Sequence, residues 1–315
     1  MDYQLIRTKP SQFLALTSLH VCEFDYLLSH FAPLCEKYFR YRTLAGQPRA
    51  FPKDKEHGNE KLQHTALKLF FLLTYLKTNP LQEQHAACFG ISQSKVSQLT
   101  RTLMSILNKT METIGLSPIR DGEKLQEVLS EHSEKVFYYD GTERDIGRNM
   151  DGETQKEDFS GKHHRHKTKN LTLCDSSQYV YYLSPSCQGS QHDKSIADEY
   201  PIVLPANSVI QQDLGFLGHH PQGVTIEEPF KKPKNGKLTF SQKLYNQILA
   251  SVRVVVEHAN SGIKRLKIVK DKIRLHTKEL RDYVMQLACA LHNFRIKSPY
   301  RGYDHKQKLP IGDFS

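Results

Sequence analysis

Asp140 closes the apolar run VFYYD at 136–140, and Asp213 closes SVIQQD at 208–213. Glu257 lies in SVRVVVEHANSGIK at 251–264, a stretch with helical spacing. Two acids at strand ends and one on a helix are the parts of a divalent-metal site that cuts phosphodiesters. Hard carboxylate oxygens suit Mg2+, with water and substrate phosphate completing its shell. Two such ions about 4 Å apart activate a water and stabilise the leaving oxygen; Mn2+ is expected to substitute. Three converging carboxylates repel one another without metal, so the empty site is expected to be poorly ordered or partly protonated. Arg253 and Lys264 lie four residues before and seven after Glu257. At about 100° per residue they return to nearly the same helix face, where they can bind flanking phosphates. On a helix standing alone this stripe would be an ordinary ion-pair ladder. The two upstream aspartates turn the reading toward chemistry.

The elements that must hold these acids are short strands and helices. After the strand 136–140, Gly141–Arg144 reads as a turn and 145–168 as a polar loop. Asn170–Cys174 and Gln178–Leu183 read as a hairpin, followed by a short helix ending near Tyr200. Ser208–Gln212 reads as a fourth strand, Phe240–Lys264 as a long helix, 267–273 as strand or loop, and Thr277–Arg295 as a final helix. The order β-(β-β)-α-β-α, with acids on the first strand, the fourth strand and a later helix, is that of an RNase H-like fold. The first and fourth strands are neighbours in such a sheet. The basic stretch 160–167 holds histidines, but their spacing fits no zinc motif and its lysines would repel a cation. It is read as a phosphate-facing loop, with Lys162, His164, Arg165 and Lys167 as DNA contacts.

The amino-terminal part is helical. Residues 62–77 form an apolar helix, and Pro80 opens a second one running to Phe89. Gly90 turns the chain, and Ser92 caps a third helix over 93–108. Ala86, Gly90 and Val96 have the spacing of a helix-turn-helix. The second helix of such a pair enters the major groove through its first residues. Here these are Gln93, Ser94, Lys95, Ser97 and Gln98, with Arg101 further along, all able to hydrogen-bond bases or phosphates. The resulting division is an N-terminal helical segment at 1–45, a basic linker at 46–60, the helix-turn-helix domain at 61–118, an α/β RNase H-like domain at 130–300, and a basic tail at 301–315.

A net charge of +10 and a pI near 9.2 point to a polyanionic partner. No apolar run approaches the roughly 20 residues that span a bilayer, so no membrane association is expected. The start MDYQLIRTKP lacks a signal-peptide core, and a cytoplasmic location follows by default. The six cysteines form no CxxC pair and read as reduced thiols.

YYDGTER at 138–144, SGKHHRHKTKN at 160–170, GSQHD at 189–193, QQDLGF at 211–216 and RVVVEHANSGIK at 253–264 occur in that order behind the helix-turn-helix. In this arrangement the chain resembles the DDE-type transposases of bacterial insertion sequences, in the branch akin to Harbinger transposases. The resemblance implies a metal triad of Asp140, Asp213 and Glu257, with Arg253 and Lys264 as the Arg-x3-Glu-x6-Lys signature. Related elements carry a tyrosine three residues before that arginine, where this chain has Ala250. The resemblance also implies binding of double-stranded terminal inverted repeats and target DNA, strand cleavage and strand transfer with two Mg2+, a homodimer on DNA, and a bacterial, nucleoid-associated location. Two alternatives compete with an active transposase. One is a catalytically silent, transposase-derived DNA-binding regulator. The other is a helix-turn-helix regulator whose α/β domain binds a small ligand.

Overall fold

The computed structural model describes residues 1–53, 61–132, 135–275 and 277–299. The predicted tail at 301–315 and part of the predicted linker, 54–60, lie outside them. Two compact units divide the chain. One holds Met1–Leu116, Arg265–Ile268 and Asn293–Ser315, and the other Ser117–Lys264 and Val269–His292.

The first unit contains α1 (Tyr3–Arg7), α2 (Pro10–Thr17), α3 (Val21–Tyr41), α4 (Thr65–Thr78), α5 (Gln82–Phe89) and α6 (Gln93–Thr113). Every residue of α4 from Lys68 to Leu76 is buried. A helix that is apolar all round belongs in the centre of a bundle, and α4 packs against α2, α3 and α6. The turn from α5 to α6 is built as its sequence predicts. Gly90 takes the left-handed conformation at φ 66°, and Ile91 N–H donates to the Ala86 carbonyl at 3.1 Å. Ser92 Oγ accepts from Lys95 N–H. Ala86 and Val96 are buried. The third helix of the motif runs to Thr113, five residues past its expected end, because Leu103, Ile106, Leu107 and Met111 continue its buried stripe.

In the second unit α7 (Leu125–Leu129) precedes β1 (Val136–Asp145). Then come α8 (Gly152–Asp158), β2 (Phe159–Ser160), β3 (Arg165–Cys174), β4 (Val180–Leu183), β5 (Cys187–Gln188), α9 (Asp193–Glu199), β6 (Val209–Gln211), β7 (Thr225–Glu227), α10 (Phe240–Ile263), α11 (Lys267–Lys270) and α12 (Lys278–Lys297). The sheet order is β2-β3-β1-β6-β7, with β4 and β5 also on β3. β1 is antiparallel to β3 and parallel to β6. The fold is therefore a mixed α/β, RNase H-like sheet domain preceded by an all-α helix-turn-helix unit. β1, which carries Asp140 in its middle and not at its end, and β6, which Asp213 follows by two residues, are hydrogen-bonded neighbours, as the sequence order predicts. One sheet face buries Phe137, Tyr139, Leu171, Leu173 and Ile210 with Leu125, Leu129 and Ile196.

Three local expectations are corrected. Gly141–Arg144 is not a turn: β1 continues through it to Asp145. Glu143 pairs in register with Lys169 and Asp145 with Lys167, so cross-strand charge pairs sustain a strand whose composition reads as a loop. The segment 145–168 is not a loop throughout, since it holds α8, capped by Asp151 accepting from Thr154 N–H at 2.8 Å, and the start of β3. Residues 267–270 form a short helix because Ile268 and Val269 are buried. Among the described residues no helix is long and apolar enough to cross a membrane.

Candidate DNA-cleavage site

Side chains alternate faces along a strand. Asp140 therefore points to the sheet face on which α10 packs, opposite Tyr139 in the core. Asp213 lies two residues past the end of β6, one strand over, and its Oδ1 accepts from Gly215 N–H at 2.7 Å, which fixes the turn that follows. Phe216 anchors that turn by packing against Tyr139, the rings tilted and their centroids 4.9 Å apart. Arg253 on α10 reaches both acids. Its Nη2 lies 3.6 Å from Asp140 Oδ1 and 3.8 Å from Asp213 Oδ2. Seven residues along the same helix face, Asn260 Nδ2 donates to Asp140 Oδ2 at 3.0 Å. Val256 and Ala259, beside that face, are buried, and Thr239 and Gln242 form a capping box at the start of α10.

Burial, followed by the neighbouring carboxylates Asp213 and Asp193, pushes the Asp140 carboxyl up to about 7 against the pull of Arg253. Lys264, at the end of α10, is held below the usual lysine range by burial and by Lys167 and Arg144, with Asp140 and Glu143 opposing.

Glu257 lies between Arg253 and Asn260 on α10, but its side chain is exposed, and no ion pair joins it to the described residues. The structure brings Asp140, Asp213 and Arg253 together and leaves the glutamate carboxylate in solvent. Among the described residues no group of three or more His, Cys, Asp or Glu side chains is arranged to hold a metal ion. The donor chemistry at the two aspartates nevertheless fits a hard divalent cation. Two carboxylates converge on one positive group, and one of them retains a proton that such an ion would displace.

The residues predicted to contact DNA divide in two. On α6, Ser94, Gln98 and Arg101 are exposed at i, i+4 and i+7 and form one open stripe. Gln93, Lys95 and Ser97 are half-buried, and Gln93 donates to the Gln82 side chain. No acid stands in the first turn of α6. In the basic stretch, Lys162 and His164 are exposed, the latter at a left-handed φ of 51°. Arg165 is exposed and pairs with Asp145 at 3.2 Å. Lys167 is largely buried and turned inward, 3.0 Å from Glu143 and 3.6 Å from Asp145.

Several residues near the site escaped the sequence reading. Arg144, in the YYDGTER motif, is fully buried and donates to the Arg281 carbonyl, Asn170 Oδ1 and Ser186 Oγ at 2.8, 2.5 and 3.0 Å. Asn260 carried no charge to mark it. Asp193 approaches Gly141 and Gly215, and its position in GSQHD was the only signal.

Residues 139–293 match the family model described as DDE superfamily endonuclease. Residues 61–113 match the one described as helix-turn-helix of DDE superfamily endonuclease. Among curated proteins the chain is similar to the probable transposase for insertion sequence element IS702 of Microchaete diplosiphon, at 29% identity over 187 residues. The alignment covers 59% of this chain and 64% of that relative, so the chain spans just under two thirds of the relative's length. No solved structure matches.

Proposed function

The chain belongs to the DDE superfamily of insertion-sequence transposase endonucleases, and from that premise we propose that it is a DNA transposase that binds the inverted repeats at an element's ends and cuts there. The observation that carries this reading is the convergence of Asp140 and Asp213, from adjacent parallel strands, on Arg253. Asp140 and Asp213 would hold Mg2+, or Mn2+ in its place, with Glu257 joining from the same face of α10. When bound, two such ions supply an activated water and stabilise the leaving oxygen. In strand transfer an element's 3′-hydroxyl takes the place of that water.

The chain's own residues perform the rest. Arg253 neutralises the two acids in the free protein and, released from them, is placed to bind a phosphate beside the cut. Asn260 holds Asp140 by one oxygen and leaves the other facing Asp213. Lys264 adds positive charge at the far end of the helix face. Ser94, Gln98 and Arg101 read or grip the end sequence from the major groove. Two ends must be processed together, so a homodimer on DNA is part of the proposal, as is action at the nucleoid.

The test is cleavage of a duplex carrying the element's own end with Mg2+, comparing wild type with Asp140→Asn. Metal-dependent cutting that the variant loses while it still shifts the duplex supports the reading. The exposed Glu257 and the hold of Arg253 on both aspartates favour a second reading, a DNA-binding regulator without catalysis. Tight binding with no cutting by wild type, in Mg2+ or Mn2+, would establish that one instead.

A further inference from the structure

Asp193 begins α9, on the sheet face opposite α10. Two close approaches define its place. A Cβ built on Gly141 would lie 2.9 Å from Asp193 Oδ1, and one built on Gly215 would lie 2.8 Å from Asp193 Oδ2. Gly141 follows Asp140 directly, and Gly215 is the residue whose N–H is held by Asp213. Neither glycine has a positive φ, so what they provide here is space and not unusual backbone conformation. At Gly141 that space is filled by the Asp193 carboxylate alone, whereas a Cβ at Gly215 would also lie 2.8 Å from Asp213 Oδ1.

The carboxylate is anchored. Lys169 Nζ lies 3.3 Å from Asp193 Oδ1 and 3.3 Å from Glu143 Oε1, while Lys167 holds Glu143 from the other side. Lys169 and Glu143 face each other across β3 and β1. An alternating row of charges therefore runs from Lys167 through Glu143 and Lys169 to Asp193 and ends against the backbone that carries both site aspartates. A side chain held in this way cannot swing aside cheaply to admit a methyl group at 141 or 215.

We propose that Asp193 is a positioning residue that sets the separation of Asp140 and Asp213, its Lys169-anchored carboxylate wedged against Gly141 and Gly215 behind them. The proposal rests on the reading of Asp140 and Asp213 as the metal-holding pair, and it adds a residue that touches neither metal nor DNA.

The test uses the full chain and Mn2+ alone, titrated by electron paramagnetic resonance, on wild type, Asp140→Asn, Asp193→Ala, Gly141→Ala and the double variant Asp193→Ala/Gly141→Ala. Thermal melting checks that each is folded. Loss of a supporting residue behind a metal site weakens binding about 10- to 100-fold. That loss is expected for Asp193→Ala and for Gly141→Ala, and in the double variant the two losses should not multiply, because the methyl enters the space that Asp193 has left. A double variant showing the product of the single losses would overturn the wedge, as would Asp193→Ala binding Mn2+ like wild type. If Asp140→Asn binds Mn2+ as wild type does, or wild type binds none, the metal-pair reading fails by itself. Crystal structures of the same proteins then judge the wedge alone. Gly141→Ala must displace the Asp193 carboxylate and change the Asp140–Asp213 separation, and an unchanged separation would sink it.

Discussion

Asp140 and Arg144 are ionisable side chains on the same face of the same strand, Arg144 buried and Asp140 half-buried. Their surroundings differ. Arg144 is enclosed by short contacts to Asn170, Ser186 and the Arg281 carbonyl. Asp282 completes the enclosure by accepting from Ser186 N–H at 2.7 Å and from Arg120. Burial lowers its pKa only to about 10, so it stays charged at neutral pH. Asp140 has a cation at 3.6 Å, one amide donor and two like charges nearby, and its carboxyl is pushed up to about 7. A buried charge with short, complementary partners fastens α12 to the sheet. A buried charge with long contacts and like-charged neighbours remains able to exchange its partner.

The largest effect that would sharpen this contrast is on cleavage. Asp140→Asn should lower the rate of strand cutting by about a thousandfold or more, about 4 kcal/mol in the barrier, with DNA binding and folding retained in gel-shift and circular-dichroism measurements. A variant that still cuts would remove Asp140 from the chemistry. Arg144→Met should do the reverse. It leaves Asn170 and Ser186 without their donor and should cost about 3 kcal/mol of unfolding free energy by urea titration, with cleavage by the folded protein near the wild-type level.

The titration of Asp140 gives a third expectation. Its carboxyl holds a proton more tightly in the folded protein than at its ordinary value of 3.8. The stability it contributes is full below pH 3.8 and is lost as pH rises toward about 7. In metal-free protein, unfolding measured across this window should show a falling slope that Asp140→Asn flattens. An equal slope in both proteins would assign the effect elsewhere.

The smallest expected effects separate two lysines of one stretch. Lys162→Ala should reduce the slope of log K against log salt for DNA binding by about 1. Lys167→Ala should leave that slope unchanged and cost about 2 kcal/mol of stability, because it serves Glu143 and Asp145. Equal salt effects from both would return Lys167 to the DNA surface.

Much of this molecule is written locally. The order of apolar runs ending in Asp140 and Asp213 placed their strands side by side, and Ala86, Gly90, Ser92 and Val96 specified the turn into α6. These features rest on periodicity, caps and left-handed glycine, which depend on residues a few positions apart. The stretch Gly141–Arg144 reads as a turn because its charges suggest solvent. It is strand because Lys169 and Lys167, far along the chain, supply the opposite charges in register. The inward turn of Lys167 and the buried place of Arg144 have the same cause. Composition marks a lysine or an arginine as a phosphate ligand, and only the packed sheet shows that an acid has already claimed it.

The sequence by itself determined the family and the order of a helical region before an α/β domain, and it named the candidate acids, since motif spacing survives without coordinates. Tertiary structure alone decided that Asp140 and Asp213 meet at Arg253, that Asn260 and Asp193 attend them, and that Glu257 points into solvent. The reason is physical. Burial and the approach of charges from distant segments set whether an ionisable group is a fastening or a site, and neither quantity belongs to a residue until the chain has packed around it.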